Sequence, residues 1–321
     1  MSHDSLKLTV YFGESDDISD PLLDIFARHR LRASILLRGA EGFGAKHRLH
    51  SGRLLTLSED LPLVAVAVDH PERVEAVLPE VDSLVGEGLV TVERADARAA
   101  VHDEAKLTVY CGRHERVGGR PAFVAVVDLL RRRGIVGATV LLGVDGTVHG
   151  ERRRARFFAG NADVPLMIVS VGEGTRVAAV LPELDALLER PLVTVERATV
   201  DALEPAAEPH WRKLTLYSSE QAKHDGRPLH VELIRRLRRS GAAGATCLRG
   251  IWGYRGDHVP HGDRLLSLRR HVPVVTVIVD EPHSAERWFG IASEMAAGKG
   301  LLTTEFVPRA SAKGNRVPSI E

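Results

Sequence analysis

Cysteine is scarce in this sequence, which has two cysteines in 321 residues, Cys111 and Cys247. They stand 136 residues apart in apolar runs, and neither belongs to a Cys-x-x-Cys pair. A disulfide framework and a cysteine-based zinc site are therefore excluded. We expect both thiols to be buried in a reducing compartment.

An excess of charge of either sign is also missing, since 43 lysine and arginine residues balance 43 aspartate and glutamate residues. A general nucleic-acid binder usually carries a basic excess, so no nucleic-acid partner is expected. The longest apolar runs are far shorter than the ~18 residues of a membrane span, and the N-terminal residues do not resemble a signal segment. The composition predicts a soluble, cytoplasmic protein.

Recognisable catalytic motifs are lacking as well. The sequence has no Gly-x-Ser-x-Gly elbow, no Walker loop and no paired-carboxylate motif, and its cysteines have no evident histidine partner. We therefore expect a protein without enzymatic activity.

The chain does contain a long internal repeat. The string Lys-Leu-Thr-Val-Tyr at residue 7 returns at 106 and, with one change, at 213. Three further anchors follow in the same order at intervals of 99 to 109 residues, the last being Thr-Val-Glu-Arg-Ala, answered in the third copy by Thr-Glu-Phe-Val. We predict three units, over residues 1–98, 104–200 and 211–309, and a flexible tail over 310–321.

Hydrophobic periodicity predicts the same order of elements in each unit. In unit 1 the strands are expected at 7–12, 34–37, 61–68 and 89–93, and the helices at 21–30 and 74–85. The order βαββαβ is that of the ferredoxin-like split βαβ fold, in the α+β class.

Three segments of unit 1 carry a resemblance to a known family: Arg-Gly-Ala-Glu-Gly-Phe-Gly at 38–44, His-x-x-His at 47–50 and Leu-Leu-Thr-Leu-Ser-Glu-Asp-Leu-Pro at 54–62. They resemble a bacterial PII-like family catalogued as domain of unknown function 190. The resemblance covers nearly the whole chain, closely in unit 1, clearly in unit 3 and in eroded form in unit 2. Family members are usually single ferredoxin-like domains similar to the trimeric PII signalling proteins, so the resemblance implies a monomeric, single-chain pseudo-trimer.

The resemblance also implies a function. PII proteins bind nucleotides in clefts between subunits and use the long loop after the second strand to contact a membrane transporter or an enzyme. The expected ligand is therefore nucleotide-like, with an adenine nucleotide as the candidate. Genes of this family often lie beside those of small fluoride-channel proteins, so a transporter or fluoride-channel-type protein is the implied partner.

The loop between the second and third strands is the candidate binding site. Its glycines allow a close backbone approach to an anion, and flanking arginines suit phosphate. The predicted ligand-binding residues of unit 1 are Arg38, Gly39, Gly42, Gly44, Lys46, His47, His50 and Arg53. Those of unit 3 are Arg249, Gly250, Gly253, His258, His261 and Arg264. The windows 38–53, 142–157 and 249–264 carry net charges of +3, +2 and +1 on a neutral chain, which favours an anionic ligand.

Two alternatives stay open. The paired histidines His47, His50, His258 and His261 suit a metal-binding protein, although two imidazoles alone do not complete a tetrahedral zinc site. A protein-interaction scaffold without a ligand is the other alternative.

Unit 2 departs from the loop pattern, with Leu142, Glu151, Arg154 and Phe157 in place of Arg, His, His and Arg. We therefore predict at most two ligands per chain. Lys7, Lys106 and Lys213 occupy equivalent positions, but descent from one ancestral unit explains them, and no site is assigned to them.

Overall fold

The computed structural model describes residues 4–43, 50–51, 61–96, 103–148, 151–152, 164–204, 211–255, 261–262 and 272–313. Within these ranges it is a mixed α/β fold of three repeated units with six α-helices. Each unit contains the predicted order βαββαβ, and short strands that the periodicity did not reveal are added to it.

Unit 1 shows why the predicted elements form. Apolar Leu22 and Phe26 share one helical face and are fully buried. Pro71 suits the first turn of a helix, where its missing N–H is not needed. The elements of unit 1 are β1 (Asp4–Gly13), α1 (Ser19–Arg28), β2 (Ala33–Arg38), β3 (Glu41–Phe43), β4 (His50–Ser51), β5 (Pro62–Asp69), α2 (Pro71–Leu84) and β6 (Gly88–Asp96).

Units 2 and 3 repeat this order, each with a small hairpin before its first helix. The elements of unit 2 are β7 (Glu104–Gly112), β8 (Arg116–Val117), β9 (Arg120–Pro121), α3 (Ala122–Arg132), β10 (Gly137–Leu142), β11 (Asp145–Val148), β12 (Glu151–Arg152), β13 (Pro165–Glu173), α4 (Gly174–Leu187), β14 (Leu192–Arg197) and β15 (Thr199–Val200). The elements of unit 3 are β16 (Trp211–Ser219), β17 (Lys223–His224), β18 (Arg227–Pro228), α5 (Leu229–Arg239), β19 (Ala245–Arg249), β20 (Trp252–Arg255), β21 (His261–Gly262), β22 (Pro273–Asp280), α6 (Pro282–Ala296), β23 (Gly300–Val307) and β24 (Arg309–Lys313).

The four main strands of each unit pair in one spatial order: fourth, first, third, second. In unit 1 this is β6-β1-β5-β2, in unit 2 β14-β7-β13-β10 and in unit 3 β23-β16-β22-β19. Each sheet packs one face against its own two helices and forms a separate apolar core there. The other faces meet in a fourth core to which all three units contribute, including Ile35, Leu141 and Leu248.

The short strand after the second strand leaves its own unit and pairs with a neighbour. Strand β3 of unit 1 pairs with β19 of unit 3, β20 of unit 3 with β10 of unit 2, and β11 of unit 2 with β2 of unit 1. The exchange is a closed cycle, so every unit both donates a strand and accepts one.

A second exchange covers the opposite sheet edges and runs the other way round. The end of β6 reaches β14 of unit 2 at a single residue pair, and β15 pairs with β23 of unit 3. Strand β24 of unit 3 then returns to β6 of unit 1 through five residue pairs. Residues 310–313, which the sequence analysis assigned to a flexible tail, are thus paired in a strand because the open edge of β6 offers them backbone partners.

No helix in the described ranges is both long enough and apolar enough to cross a bilayer.

Candidate functional site

The predicted binding loops begin at the seams between units. Backbone N–H groups at their first glycines are already used, since Gly39 donates to Pro62 of its own unit at 2.7 Å and Ala40 donates to Cys247 of unit 3 at 2.8 Å. Gly143 with Val144, and Gly250 with Ile251, repeat both bonds. The first N–H of each loop thus bonds within its own unit and the second bonds across the seam, so both already have acceptors other than an anion.

The second glycine of each loop permits the strand exchange. A Cβ at Gly42, Gly146 or Gly253 would collide with a backbone carbonyl oxygen of the accepting strand in the neighbouring unit. Glycine is therefore required at these positions by the close approach of two backbones. These glycines were predicted to allow a close backbone approach to an anion, and in the structure the close approach is to the backbone of the neighbouring unit.

Two of the three exchanged strands also place an aromatic side chain in the core of the neighbouring unit. Phe43 of unit 1 is buried in the core of unit 3, and Tyr254 of unit 3 is buried in that of unit 2, where its hydroxyl donates to the Ile135 carbonyl at 2.8 Å. The equivalent Thr147 of unit 2 instead exchanges a hydrogen bond of 3.0 Å with the hydroxyl of Ser34. The first half of each loop thus connects two units through strand pairing and a buried side chain.

An arginine stands at the base of the loop at two of the three seams. Arg38 donates to Glu14 at 2.8 Å and Arg249 donates to Glu220 at 2.9 Å. The two glutamates are equivalent, because their backbone N–H groups make the same 3.0 Å bond to the residue before the third strand. Sequence reasoning missed these glutamates, although each lies seven residues after the repeated lysine of its unit.

Unit 2 lacks both members of this pair. Arg113 makes the same backbone bond, to Val164 at 2.9 Å, and so occupies the position of the glutamate, while Leu142 occupies that of the arginine. The missing pair agrees with the loop sequence of unit 2, in which Leu142 replaces the arginine of the other two units.

The returning arm of the loop forms a hairpin with the exchanged strand. His50 pairs with Gly42 and His261 pairs with Gly253, so these two predicted residues share one backbone register. In unit 2 the register differs, since Thr147 pairs with Arg152. Outside the described residues lie Gly44, Lys46, His47, Arg53, His258 and Arg264.

The three equivalent lysines, to which no site was assigned, form a buried ionic ring with three equivalent glutamates. Each lysine lies opposite the glutamate of its own unit across paired strands and also reaches the glutamate of the next unit. The order around the ring is Glu93, Lys7, Glu196, Lys106, Glu305, Lys213 and back to Glu93. Descent explains the repetition of these residues, but the ring is what requires them.

The charged groups of the ring are close together and buried. Lys213 lies 2.6 Å from Glu93 and 3.0 Å from Glu305, and all six side chains are at most 8% exposed. Burial by itself lowers the pKa of Lys213, but Glu305 and Glu93 more than offset it and hold the pKa well above its usual range. The three carboxylates approach within 4.8 Å of one another, close enough to hold a cation, and the three ammonium groups already supply that charge.

An open polar depression of about 660 Å³ lies away from the loops, where unit 2 meets the connector to unit 3. It is lined by four carboxylate residues and one arginine, namely Asp103, Glu104, Glu173, Glu204 and Arg197, together with Ala198 and Thr199. The excess of negative charge disfavours an anionic ligand there.

Fold and seams together define a class: an α/β protein of three units that exchange strands in a cycle around a buried ionic ring. The family model for domain of unknown function 190, described as an uncharacterized ACR, matches residues 5–97, 104–200 and 211–309. The chain belongs to this family, in three tandem copies, and the resemblance stated from its sequence is confirmed. A UPF0166 protein of Aquifex aeolicus (strain VF5) is 34% identical over 96 residues, which are 29% of this chain and 88% of that protein.

Proposed function

We propose that this protein is a non-enzymatic regulator of PII type. In this proposal three ferredoxin-like units form a single-chain pseudo-trimer, which binds a small, nucleotide-like anion at the seams between units. The ligand state is then passed to a partner, of which a membrane transporter or a fluoride-channel-type protein is the implied kind. The strand order fourth, first, third, second in every unit and the closed exchange of strands support the architecture.

The observation that carries the ligand proposal is the arginine at the base of the loop at two inter-unit seams. Arg38 and Arg249 lie where a strand crosses from one unit to the next, so a ligand held there would contact two units at once. A guanidinium fork is suited to phosphate because it offers parallel N–H donors. A ligand at such a seam can report on the arrangement of the units, as a regulator requires.

The cysteines support a non-enzymatic function. Both are buried, and burial raises the pKa of Cys247 to about 12, so this thiol stays protonated near neutral pH. The closed strand exchange favours a monomer, and scattering should report a 35.0 kDa particle.

A thermal-shift screen of ATP, ADP, inorganic phosphate and divalent metals tests the proposal, because a ligand that binds the folded state raises its apparent stability. We expect a nucleotide to raise the melting temperature, and the Arg38→Ala/Arg249→Ala variant to lose that shift. Arg28→Ala, which removes an exposed arginine paired with Glu80 at 2.8 Å, is the matched control and should keep it.

The same screen separates the alternatives. A shift with a divalent metal that His47→Ala/His50→Ala abolishes would favour the metal-binding protein, for which the shared register of His50 and His261 is the supporting observation. No shift with any ligand would leave the interaction scaffold.

A further inference from the structure

The two seam arginines are each paired with a carboxylate of their own unit. Glu14 accepts from Arg38, and Glu220 accepts from Arg249. The four side chains are 30% to 45% exposed, so solvent and a dissolved anion can reach both pairs. A phosphate group that approaches either arginine therefore competes with a carboxylate that is already bound.

Arg249 has donor capacity that its glutamate does not fill. Its Nη2 donates to Glu220 at 2.9 Å, whereas its Nε–H is buried and has no hydrogen-bond partner among the described residues. A buried donor without an acceptor is costly and is normally satisfied. An oxyanion that took both Nε and Nη2 in the usual bidentate manner would satisfy that donor and displace Glu220.

The two glutamates are not explained by a contribution to stability, because partly exposed ion pairs add little to the free energy of unfolding. Unit 2 supports this view: where the arginine is replaced by Leu142, the glutamate is replaced by Arg113, and the backbone bond at that position is kept. The glutamate is thus present only in the units that have the arginine. Unit 2 adopts the same fold without either residue.

We propose that Glu14 and Glu220 are resting-state counter-ions of the seam arginines, which a phosphate-bearing ligand displaces when it binds, and which therefore set its affinity. This inference rests on the proposed function. It makes each of the two seams that carry a glutamate–arginine pair a charge-exchange site: one carboxylate leaves the guanidinium as one phosphate arrives, so the arginine always has an anionic partner. The glutamates also reject weak anions, because only a ligand of higher charge density or more contacts wins the exchange.

Titration calorimetry of the full chain with ATP, and separately with inorganic pyrophosphate, tests the inference. Replacing both glutamates, in Glu14→Gln/Glu220→Gln, should tighten binding of both probes by about two- to fivefold, the range expected when an exposed ion pair no longer competes. Pyrophosphate should gain as much as ATP, because the competition concerns phosphate alone. The matched control Glu80→Gln, which frees the exposed Arg28 on the helical surface, should leave both affinities unchanged.

Unchanged or weaker binding by Glu14→Gln/Glu220→Gln, while the native chain binds, would overturn the counter-ion role and leave the proposed function standing. Weaker binding would instead make the glutamates ligand contacts. Failure of both the native chain and the glutamine variant to bind either probe would defeat the proposed function itself. Binding by the glutamine variant alone would support the inference most strongly, since the carboxylates would then be shown to block the site.

Discussion

The buried ionic ring and the three loop seams differ in how similar their three copies are. At the ring every unit contributes the same lysine and the same glutamate, and each lysine bridges two units. At the seams units 1 and 3 keep a glutamate–arginine pair, whereas unit 2 has Arg113 and Leu142. A ring closes only when all its members are present, while a seam can lose its pair without changing the other two. The ring therefore has the same lysine and glutamate in all three units because it can form only as a complete set.

The largest effect is expected from breaking the ring at one residue. Lys213→Met leaves Glu93 and Glu305 short of a partner in a buried site, and breaking a buried ion pair in this way costs about 3 to 5 kcal/mol. Urea denaturation should show that loss in the free energy of unfolding. The seam variant Glu14→Gln/Glu220→Gln is the comparison and should change it little, because those pairs are partly exposed.

A full apolar replacement makes the ring test sharper. Changing the three lysines to Met and the three glutamates to Leu removes all six charges of the ring together, and such replacements are often neutral or stabilising. If Lys213→Met alone were as harmless as the full replacement, the ring would not be a closed ionic set.

The second effect concerns the strand that closes the chain on itself. Units 1 and 2, and units 2 and 3, are joined covalently, whereas unit 3 meets unit 1 through non-covalent contacts alone, which include β3 with β19 and the five residue pairs of β24 with β6. Deleting residues 309–321 should cost about 2 to 4 kcal/mol of unfolding free energy, since each backbone hydrogen bond contributes roughly 0.5 to 1.5 kcal/mol. The exposed edge of β6 should also promote association, visible in light scattering.

Deletion of residues 314–321 alone is the matched control, because it leaves β24 in place. Equal stability of the two truncated chains would show that β24 does not hold the units together.

The repeated core of each unit could be predicted from the sequence, but the contacts that join the three units could not. The βαββαβ order was readable because each main element has its own periodicity, as in the buried face of α1. Strands β3, β11 and β20 were not, because a strand of three or four residues that pairs with another unit has no periodic signal of its own. Lys7 and Glu93 were both visible as repeated residues, but they are 86 positions apart, and only the paired strands bring them together.

The pH dependence of stability should separate the ring from the seams. Burial by itself raises the pKa of Glu93, but Lys213 and Lys7 more than offset it, so the pKa lies below its usual range. A carboxyl with a depressed pKa contributes stability that is present above its unfolded pKa of about 4.3 and is lost as the pH falls through the folded pKa. Unfolding free energies measured from about pH 3 to pH 7 should therefore fall steeply on the acid side.

The slope identifies the source of this acid sensitivity. Lys213→Met should show a shallower fall, because it removes the first cause of the depressed pKa of Glu93. Glu14→Gln/Glu220→Gln should keep the native slope, and a flattened slope in this seam variant would contradict the assignment to the ring.

The smallest effect, and the closest test of the comparison, is the number of ligands per chain. Because unit 2 has neither the seam arginine nor the hairpin register of the other two units, calorimetry with ATP should give at most two sites. Three equivalent sites would show that the seam pair is dispensable for binding. The converse variant restores the unit 1 pattern in unit 2 through Arg113→Glu, Leu142→Arg, Glu151→His, Arg154→His and Phe157→Arg. A third site should then appear. The free energy of unfolding should change much less than it does in Lys213→Met, because each seam can gain or lose its binding residues independently of the other two.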